Sequence, residues 1–169
     1  MGFRCAHKHK LGAESIRGGI MSTHADVIFA INGVKIVKVF HVYDGYIDSL
    51  GKELAEWLMW HKICNGFGLS SSVDQYDLRN GYANGAEDLA AQWIAYSKTC
   101  AGDVYVYPLE SSNKYIDYTY FVNIKDPRDI SKAHDVNDIT VISITCFDNP
   151  EIIFKGSPKE LLEYKELEE

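Results

Sequence analysis

The chain has 169 residues, with 17 basic and 24 acidic side chains and a formal net charge of −7. This length suits a single domain that buries a hydrophobic core of its own. The acidic balance argues against binding of long DNA or RNA, because neutralisation of phosphates by Lys and Arg supplies most of that affinity. The sequence has no uninterrupted apolar stretch of about 18 residues, so we expect no membrane-spanning helix and no membrane partner.

The four cysteines are far apart in the sequence and form no Cys-x-x-Cys pair: Cys5, Cys64, Cys100 and Cys146. This spacing favours neither a disulfide framework nor a zinc site. The first residues also lack the apolar core of a secretory signal, so we expect reduced thiols in a cytoplasmic protein. No P-loop, Gly-x-Gly-x-x-Gly or Gly-x-Ser-x-Gly motif occurs, and we therefore predict no cofactor and no metal.

Residues 1–20 differ in composition from the rest of the chain. They carry four basic residues and one acidic residue, and they show neither strand alternation nor helical spacing. We interpret them as a disordered or non-native extension before a single domain over residues 21–169. The sequence Cys5-x-His7-x-His9 could chelate a soft metal ion, but an incidental basic extension explains it more simply.

The strongest local signal lies between Val27 and Val42, where Asn32-Gly33 separates two runs rich in β-branched residues. Both residues of Asn-Gly accept positive φ, so this pattern predicts a β-hairpin with a two-residue turn. A first helix should follow, capped by Asp48 or Ser49. Its buried stripe recurs at three-to-four spacing through Leu50, Leu54, Trp57, Leu58 and His61.

A second helix should begin with a capping box formed by Asn84 and Glu87, and Gly102 should end it. Four more strands are expected at about residues 103–109, 114–124, 138–147 and 151–155, and Ser157-Pro158 opens a last helix. Short links between consecutive strands predict antiparallel hairpins. The predicted fold is α+β, a mostly antiparallel sheet of about six strands with two helices inserted after the first hairpin and one C-terminal helix, in the order ββααββββα.

The segment FHVYDGYIDSLGKEL at residues 40–54 resembles a strand–turn–helix signature of small phage and prophage proteins to which no activity is attached. Their signature joins an aromatic-x-Asp-Gly-Tyr turn to a Leu-Gly-x-x-Leu helix. The likeness is fainter through residues 84–93 and 104–108. In the commonest version a His-Trp precedes the Asp and a Pro follows the Tyr, whereas this chain has Val42-Tyr43 and Ile47. The resemblance implies a phage-type accessory protein that acts by binding, for example by inhibiting a host defence protein.

The residues of this turn form the first candidate binding site: Tyr43, Asp44, Gly45, Tyr46 and Asp48. They lie where a strand leads into a helix, and helix N-termini offer unpaired N–H groups to small anionic ligands. Tight-turn geometry and helix capping explain the same residue types without any ligand. Both interpretations stay open at this stage.

Tyrosines on two strands that should pair form the second candidate: Tyr105, Tyr107, Tyr118 and Tyr120. If the two strands pair in register, their rings form a ladder that could stack a nucleotide-like ligand. The same rings could pack on the helices or meet a second copy of the chain, since tyrosine is common at interfaces.

Three functions follow from these features. The first is binding, either sequestration of a nucleotide-like ligand or inhibition of a host protein in the cytoplasm of a bacterial cell. The second is a small hydrolase that uses His41 with Asp44 or Asp48, because a general base needs a nearby titratable partner. The third is an acidic protein-interaction module without a small ligand.

Overall fold

The computed structural model describes residues 22–64, 81–111, 115–125, 139–145 and 150–165. Helices and strands both occur in these ranges, which confirms the predicted α+β class. The strands are β1 (Ala25–Ile31), β2 (Val34–His41), β3 (Lys62–Cys64), β4 (Tyr82–Asn84), β5 (Val104–Tyr107), β6 (Tyr118–Ile124), β7 (Ile139–Thr145) and β8 (Glu151–Gly156). The α-helices are α1 (Lys52–Met59), α2 (Gly85–Ser97) and α3 (Pro158–Glu163), and a turn of π-helix, Ile47–Gly51, precedes α1.

The main sheet is mixed and has the strand order β5-β2-β1-β6-β7-β8. β1 and β6 run parallel, whereas the other neighbours in this sheet run antiparallel. β3 and β4 form a separate parallel ladder between α1 and α2. Antiparallel hairpins between consecutive strands were right for β1–β2, β6–β7 and β7–β8 but wrong for β5 and β6, which are not neighbours. The predicted order ββααββββα lacks β3 and β4, and the prediction of a mostly antiparallel sheet was wrong in that the sheet is mixed. A parallel neighbour needs a crossover connection, and the segment with α1 and α2 supplies it between β1 and β6.

The first hairpin confirms its sequence signal. Asn32 and Gly33 have φ values of +48° and +81°, as a turn with two left-handed residues requires. The register of β1 and β2 shifts between Phe29 and Ala30, which marks a β-bulge near the turn. The hairpin turn is also bound to β6, because the Gly33 N–H donates to the Asn123 side chain at 2.6 Å.

One face of the main sheet carries the hydrophobic core. Alternate residues of β1, such as Val27 and Phe29, are fully buried on this face, and Val27 lies between Val39 of β2 and Tyr120 of β6. The core on this side is completed by helical residues that include Leu54, Leu58, Leu89, Trp93 and Leu161. The intervening residues of β1, β2 and β6 therefore lie on the face opposite the helices.

The starts of the first two helices differ from the prediction. Neither Asp48 nor Ser49 caps the first helix, which begins with the π-helical turn after Tyr46. The Asn84 side chain makes no capping bond at the start of α2. Its backbone N–H donates instead to the Asp88 carboxylate at 2.8 Å. In both places the backbone path around the helix start, rather than the cap residue, decides where the helix begins.

The last helix begins as its sequence predicts. The Ser157 hydroxyl accepts the Glu160 backbone N–H, and the Glu160 carboxylate accepts the Ser157 backbone N–H at 2.7 Å. The Ser157 N–H, together with the Ser157 hydroxyl that donates to the Glu160 carboxylate at 2.8 Å, holds the pKa of Glu160 below its ordinary value. Pro158 follows at the first helical position, where its missing N–H costs nothing.

Replacing Ser157 by Ala should lower the free energy of unfolding by about 1 kcal/mol, because the helix loses its capping hydroxyl. Urea unfolding of the Ser157→Ala and Ser157→Asp variants measures this, and Ser157→Asp should keep most of the stability since Asp also caps. Equal losses in both variants would contradict a capping role.

The proposed extension at residues 1–20, with Cys5, His7 and His9, lies outside the described ranges. None of the described helices combines the length and the apolar composition that a membrane-spanning helix needs.

Candidate binding site

The turn between β2 and the π-helix is fixed by close backbone packing. Asp44 has a φ of +56°, a left-handed conformation that Asp tolerates better than most residues. The Gly45 N–H donates to the Thr23 carbonyl at 3.0 Å, and the Gly45 carbonyl accepts the Tyr120 hydroxyl at 2.8 Å. A Cβ at position 45 would lie 3.0 Å from the Ala25 Cβ and equally close to the backbone of Thr23 and His24, so this tight approach favours glycine.

At the helix start beyond the turn, three backbone N–H groups that could bind an anion are already used within the protein. The Ser49 and Gly51 N–H groups both donate to the Tyr46 carbonyl, at 3.2 and 3.1 Å. The Leu50 N–H donates to the Asp44 carbonyl at 3.2 Å. The π-helical turn thus uses these three amides internally, and they are not directed at a ligand as the predicted site for a small anion requires.

Carboxylates dominate the charge next to this turn. Although Glu53 lies at the surface, partial burial raises its pKa, and the nearby charges of Glu56 and Asp44 raise that pKa further. A hydrogen bond between Glu53 and Tyr96 acts in the opposite direction on the Glu53 pKa. A phosphate placed here would meet like charge, which disfavours an anionic ligand at the turn.

The side chains of the predicted turn lie at the surface, whereas Gly45 is buried. Tyr43 is 55% exposed and Tyr46 is 49% exposed. The Tyr46 ring packs edge-on against Tyr118, with centroids 6.0 Å apart. Asp48 forms an ion pair with Lys52 one helical turn further on. Two turn residues therefore contact predicted ladder tyrosines: Tyr46 packs against Tyr118, and the Gly45 carbonyl accepts the Tyr120 hydroxyl.

The predicted ladder of four tyrosines was wrong, because β5 and β6 are not neighbours. β5 pairs with β2, and β2 and β1 separate it from β6. Tyr105 lies opposite Phe40 on the face away from the helices. Tyr118 and Tyr120 lie on the core face, where both are buried. The alternation within each strand was right, but the two pairs of rings point to opposite faces of the sheet.

The rings on the face opposite the helices form a continuous group that we call the aromatic patch, made of His24, Phe40, Tyr105 and Tyr107. The His24 ring lies nearly parallel to Phe40, at 14° and 5.6 Å between centroids. Phe40 also meets Tyr107 at 5.6 Å and Tyr105 at 6.2 Å. The two tyrosine rings are themselves 14° from parallel and 6.1 Å apart. Tyr105 is 43% exposed, so the patch is open to a partner at this edge of the sheet.

A buried ion pair borders the aromatic patch. Asp26 lies opposite Phe40 in the β1–β2 register, and its Oδ2 is 4.0 Å from the Lys38 ammonium. The Lys38 ammonium also donates to the Ser111 carbonyl. Burial raises the pKa of Asp26, and Lys38 acts in the opposite direction. The Asp26 Oδ1 is buried and has no hydrogen-bond partner among the residues that the structure describes. Lys38 is thus already bound within the protein and is not available to a phosphate on the patch.

The two ends of the aromatic patch are held by carboxylates. At one end, the His24 backbone N–H donates to the Asp117 carboxylate at 2.6 Å. At the other, Asp103 accepts hydrogen bonds from Lys98, Thr99 and the Cys100 N–H. Burial acts to raise the pKa of Asp103, but these hydrogen bonds outweigh it and hold that pKa well below its usual range. The Asp103 bonds fix the chain immediately before β5 and so position Tyr105 and Tyr107.

His41 lies on the core face rather than beside the turn. Its Nε2 accepts the indole N–H of Trp93 at 3.0 Å, and burial lowers the His41 pKa to about 4, against an opposing effect of Asp103. A neutral imidazole has one basic nitrogen, and Trp93 occupies it. The geometry therefore does not support the hydrolase that would use His41 with Asp44 or Asp48.

His24 and Phe40 belong to the patch but were not among the predicted site residues. The alternation of β2 does place Phe40 with Lys38 on one face, so part of the signal was present in the sequence. Their joining to Tyr105 depends on the pairing of β2 with β5, in which His41 lies opposite Val104, 63 positions later in the sequence. No short-range pattern encodes that pairing.

We compared the chain with protein-family models, with curated proteins and with solved structures, and none of them matches.

Proposed function

We propose that this chain acts by binding a partner protein through the aromatic patch, and that the partner presents arginine side chains. The observation that carries the proposal is the group of four touching rings, of which Tyr105 is 43% exposed. Guanidinium groups stack on aromatic faces and are only weakly hydrated. The net charge of −7 also attracts a basic partner. A role as a phage-type accessory protein that blocks a host protein is compatible with this mode of action.

A nucleotide-like ligand is the second candidate for the same patch. The near-parallel rings of Tyr105 and Tyr107 favour stacking of a flat ring, which is worth about 1–3 kcal/mol per base. The phosphate would find no support from Lys38, which is bound to Asp26 and Ser111. We therefore rank a partner with cationic groups above an anionic nucleotide.

Replacing Tyr105 by Ala should weaken binding of a hexa-arginine peptide by about 1 kcal/mol or more, roughly fivefold or more, because the most exposed ring of the patch is lost. Titrations followed by NMR measure the affinity and show which residues shift. Hexa-lysine should bind less tightly than hexa-arginine, and adenosine monophosphate tests the nucleotide alternative.

Tyr43→Ala is the matched control, because Tyr43 is a similarly exposed tyrosine outside the patch. It should leave the affinity for hexa-arginine unchanged. Equal affinities of the wild type, Tyr105→Ala and Tyr43→Ala proteins would overturn the patch as the binding surface. Tight binding of adenosine monophosphate with none of hexa-arginine would replace the first candidate by the second.

A further inference from the structure

The two edges of the main sheet differ in how well they are protected. β8 forms one edge and carries the charged residues Glu151 and Lys155, next to a β-bulge in its pairing with β7. β5 forms the other edge and reads Val-Tyr-Val-Tyr, with no charged residue. Charges and bulges are the usual means by which an edge strand avoids pairing with another chain. β5 lacks both, although it is short.

The register of β5 shows which backbone groups face outward. The Val42 N–H donates to the Asp103 carbonyl at 3.0 Å, which makes that position a hydrogen-bonded pair of the antiparallel ladder. Tyr105 and Tyr107 lie two and four residues after Asp103, so their backbone groups also form hydrogen bonds with β2. Val104 and Val106 direct their N–H and carbonyl groups away from the sheet. The bond from Lys98 to the Val104 carbonyl at 3.2 Å agrees with this direction.

Val106 is the open position on this edge. Its side chain is 57% exposed, and its backbone groups face outward. The neighbouring outward carbonyl of Val104 is taken by Lys98. Pro108, the next outward position after Val106, has no N–H to donate. An added strand would therefore be centred on Val106.

We propose that two copies of this chain pair antiparallel through β5, with the twofold axis at Val106. The edge is complementary to itself in this register. Val106 of each copy exchanges both backbone hydrogen bonds with Val106 of the other. Val104 of one copy then lies opposite Pro108 of the other, so the carbonyl that Lys98 occupies faces the residue that has no N–H. The two main sheets become one continuous sheet.

The same register brings the aromatic patches together. Tyr105 of one copy lies opposite Tyr107 of the other in a pair without backbone hydrogen bonds, where side chains approach most closely, at about 4.5 Å between Cα atoms. Aromatic pairs opposite each other stabilise antiparallel strands. The two patches would form a single strip across the axis, which doubles the surface available to a partner with repeated cationic groups.

Sedimentation velocity at several concentrations tests the pairing. We expect the wild-type chain to approach twice its 19.1 kDa mass as concentration rises. Val106→Pro should weaken the dimer at least tenfold, because it removes an outward N–H and leaves the bonds of β5 to β2 in place. Val106→Thr keeps the N–H and should still dimerise. Val106→Lys, which places a charge on the edge, should weaken the dimer without any change of backbone.

A cysteine cross-link tests the register. Residues in a hydrogen-bonded antiparallel pair have Cα atoms about 5.5 Å apart, within the range of a disulfide. Val106→Cys should therefore form a covalent dimer on mild oxidation, whereas Tyr105→Cys should not, with the wild-type chain and its own cysteines oxidised in parallel as the blank. Any of three results would overturn the proposal. The first is a cross-link through position 105 instead of position 106, and the second is a wild type that stays monomeric at every concentration. The third is a dimer that neither Val106→Pro nor Val106→Lys weakens. Hexa-arginine binding by the Val106→Pro monomer should persist, so the two proposals can fail separately.

Discussion

Replacing Gly81 by Ala should lower the free energy of unfolding by about 4 kcal/mol, the largest loss that we expect from a single added methyl group in this protein. Gly81 has a φ of +83°, and a Cβ there would lie 1.9 Å from the Trp60 carbonyl oxygen. That oxygen belongs to the backbone at the end of α1, so it cannot move aside as a flexible side chain would. The Gly81 carbonyl also accepts the Lys62 N–H, which joins β3 to the segment that leads into β4.

Gly33→Ala is the control for this prediction. Gly33 has nearly the same backbone conformation, with a φ of +81°, but a Cβ there would meet no atom within 4 Å. Its substitution measures the cost of the left-handed conformation alone, about 1–2 kcal/mol. Urea unfolding measures the loss of free energy of unfolding in both variants, and the difference between the two losses is the cost of the steric clash at position 81. Equal losses for Gly81→Ala and Gly33→Ala would show that the Trp60 carbonyl does not confine position 81.

Local signals in the sequence predicted the elements that depend on local geometry. The turn at Asn32-Gly33 formed because both residues accept positive φ, and the Ser157 capping box formed because its partners lie within one helical turn. The Asn84 cap failed although its pattern was similar. Gly85 follows it with a φ of +83°, so the chain enters α2 by a path that a normal capping box does not use.

The arrangement of the sheet depended on contacts that are distant in the sequence. Alternation correctly put Tyr105 with Tyr107 and Tyr118 with Tyr120, because that periodicity belongs to each strand alone. It gave no information on which strands are neighbours. β5 and β6 are close in sequence, yet β5 joins β2 at the edge and β6 joins β1 in parallel. The candidate site therefore differs from the predicted one: it is a patch formed by β5, β2 and His24 and not a ladder between β5 and β6.

Acidification from pH 7 to pH 4 should remove about 3 kcal/mol of the free energy of unfolding through His41 alone. Burial lowers the His41 pKa from its ordinary value of 6.5 to about 4 in the folded protein. Between these two values the unfolded chain binds a proton that the folded chain does not, so stability falls as the pH falls through this window. Above pH 6.5 the full stability is present, since the imidazole is neutral in both states. His61, whose pKa burial also lowers, acts in the same direction.

The contribution of His41 is isolated by comparing the wild type with His41→Gln, which does not titrate and keeps an acceptor that can reach the Trp93 indole. Urea unfolding at pH 7 and at pH 4 should show a drop that is about 3 kcal/mol smaller in the variant than in the wild type. The imidazole resonances of His41 should report the tautomer protonated at Nδ1, because Nε2 accepts the Trp93 N–H, and they should titrate near pH 4. The same pH dependence in both proteins, or a His41 ring that titrates near 6.5, would show that the imidazole is hydrated and that its bond to Trp93 does not persist in solution.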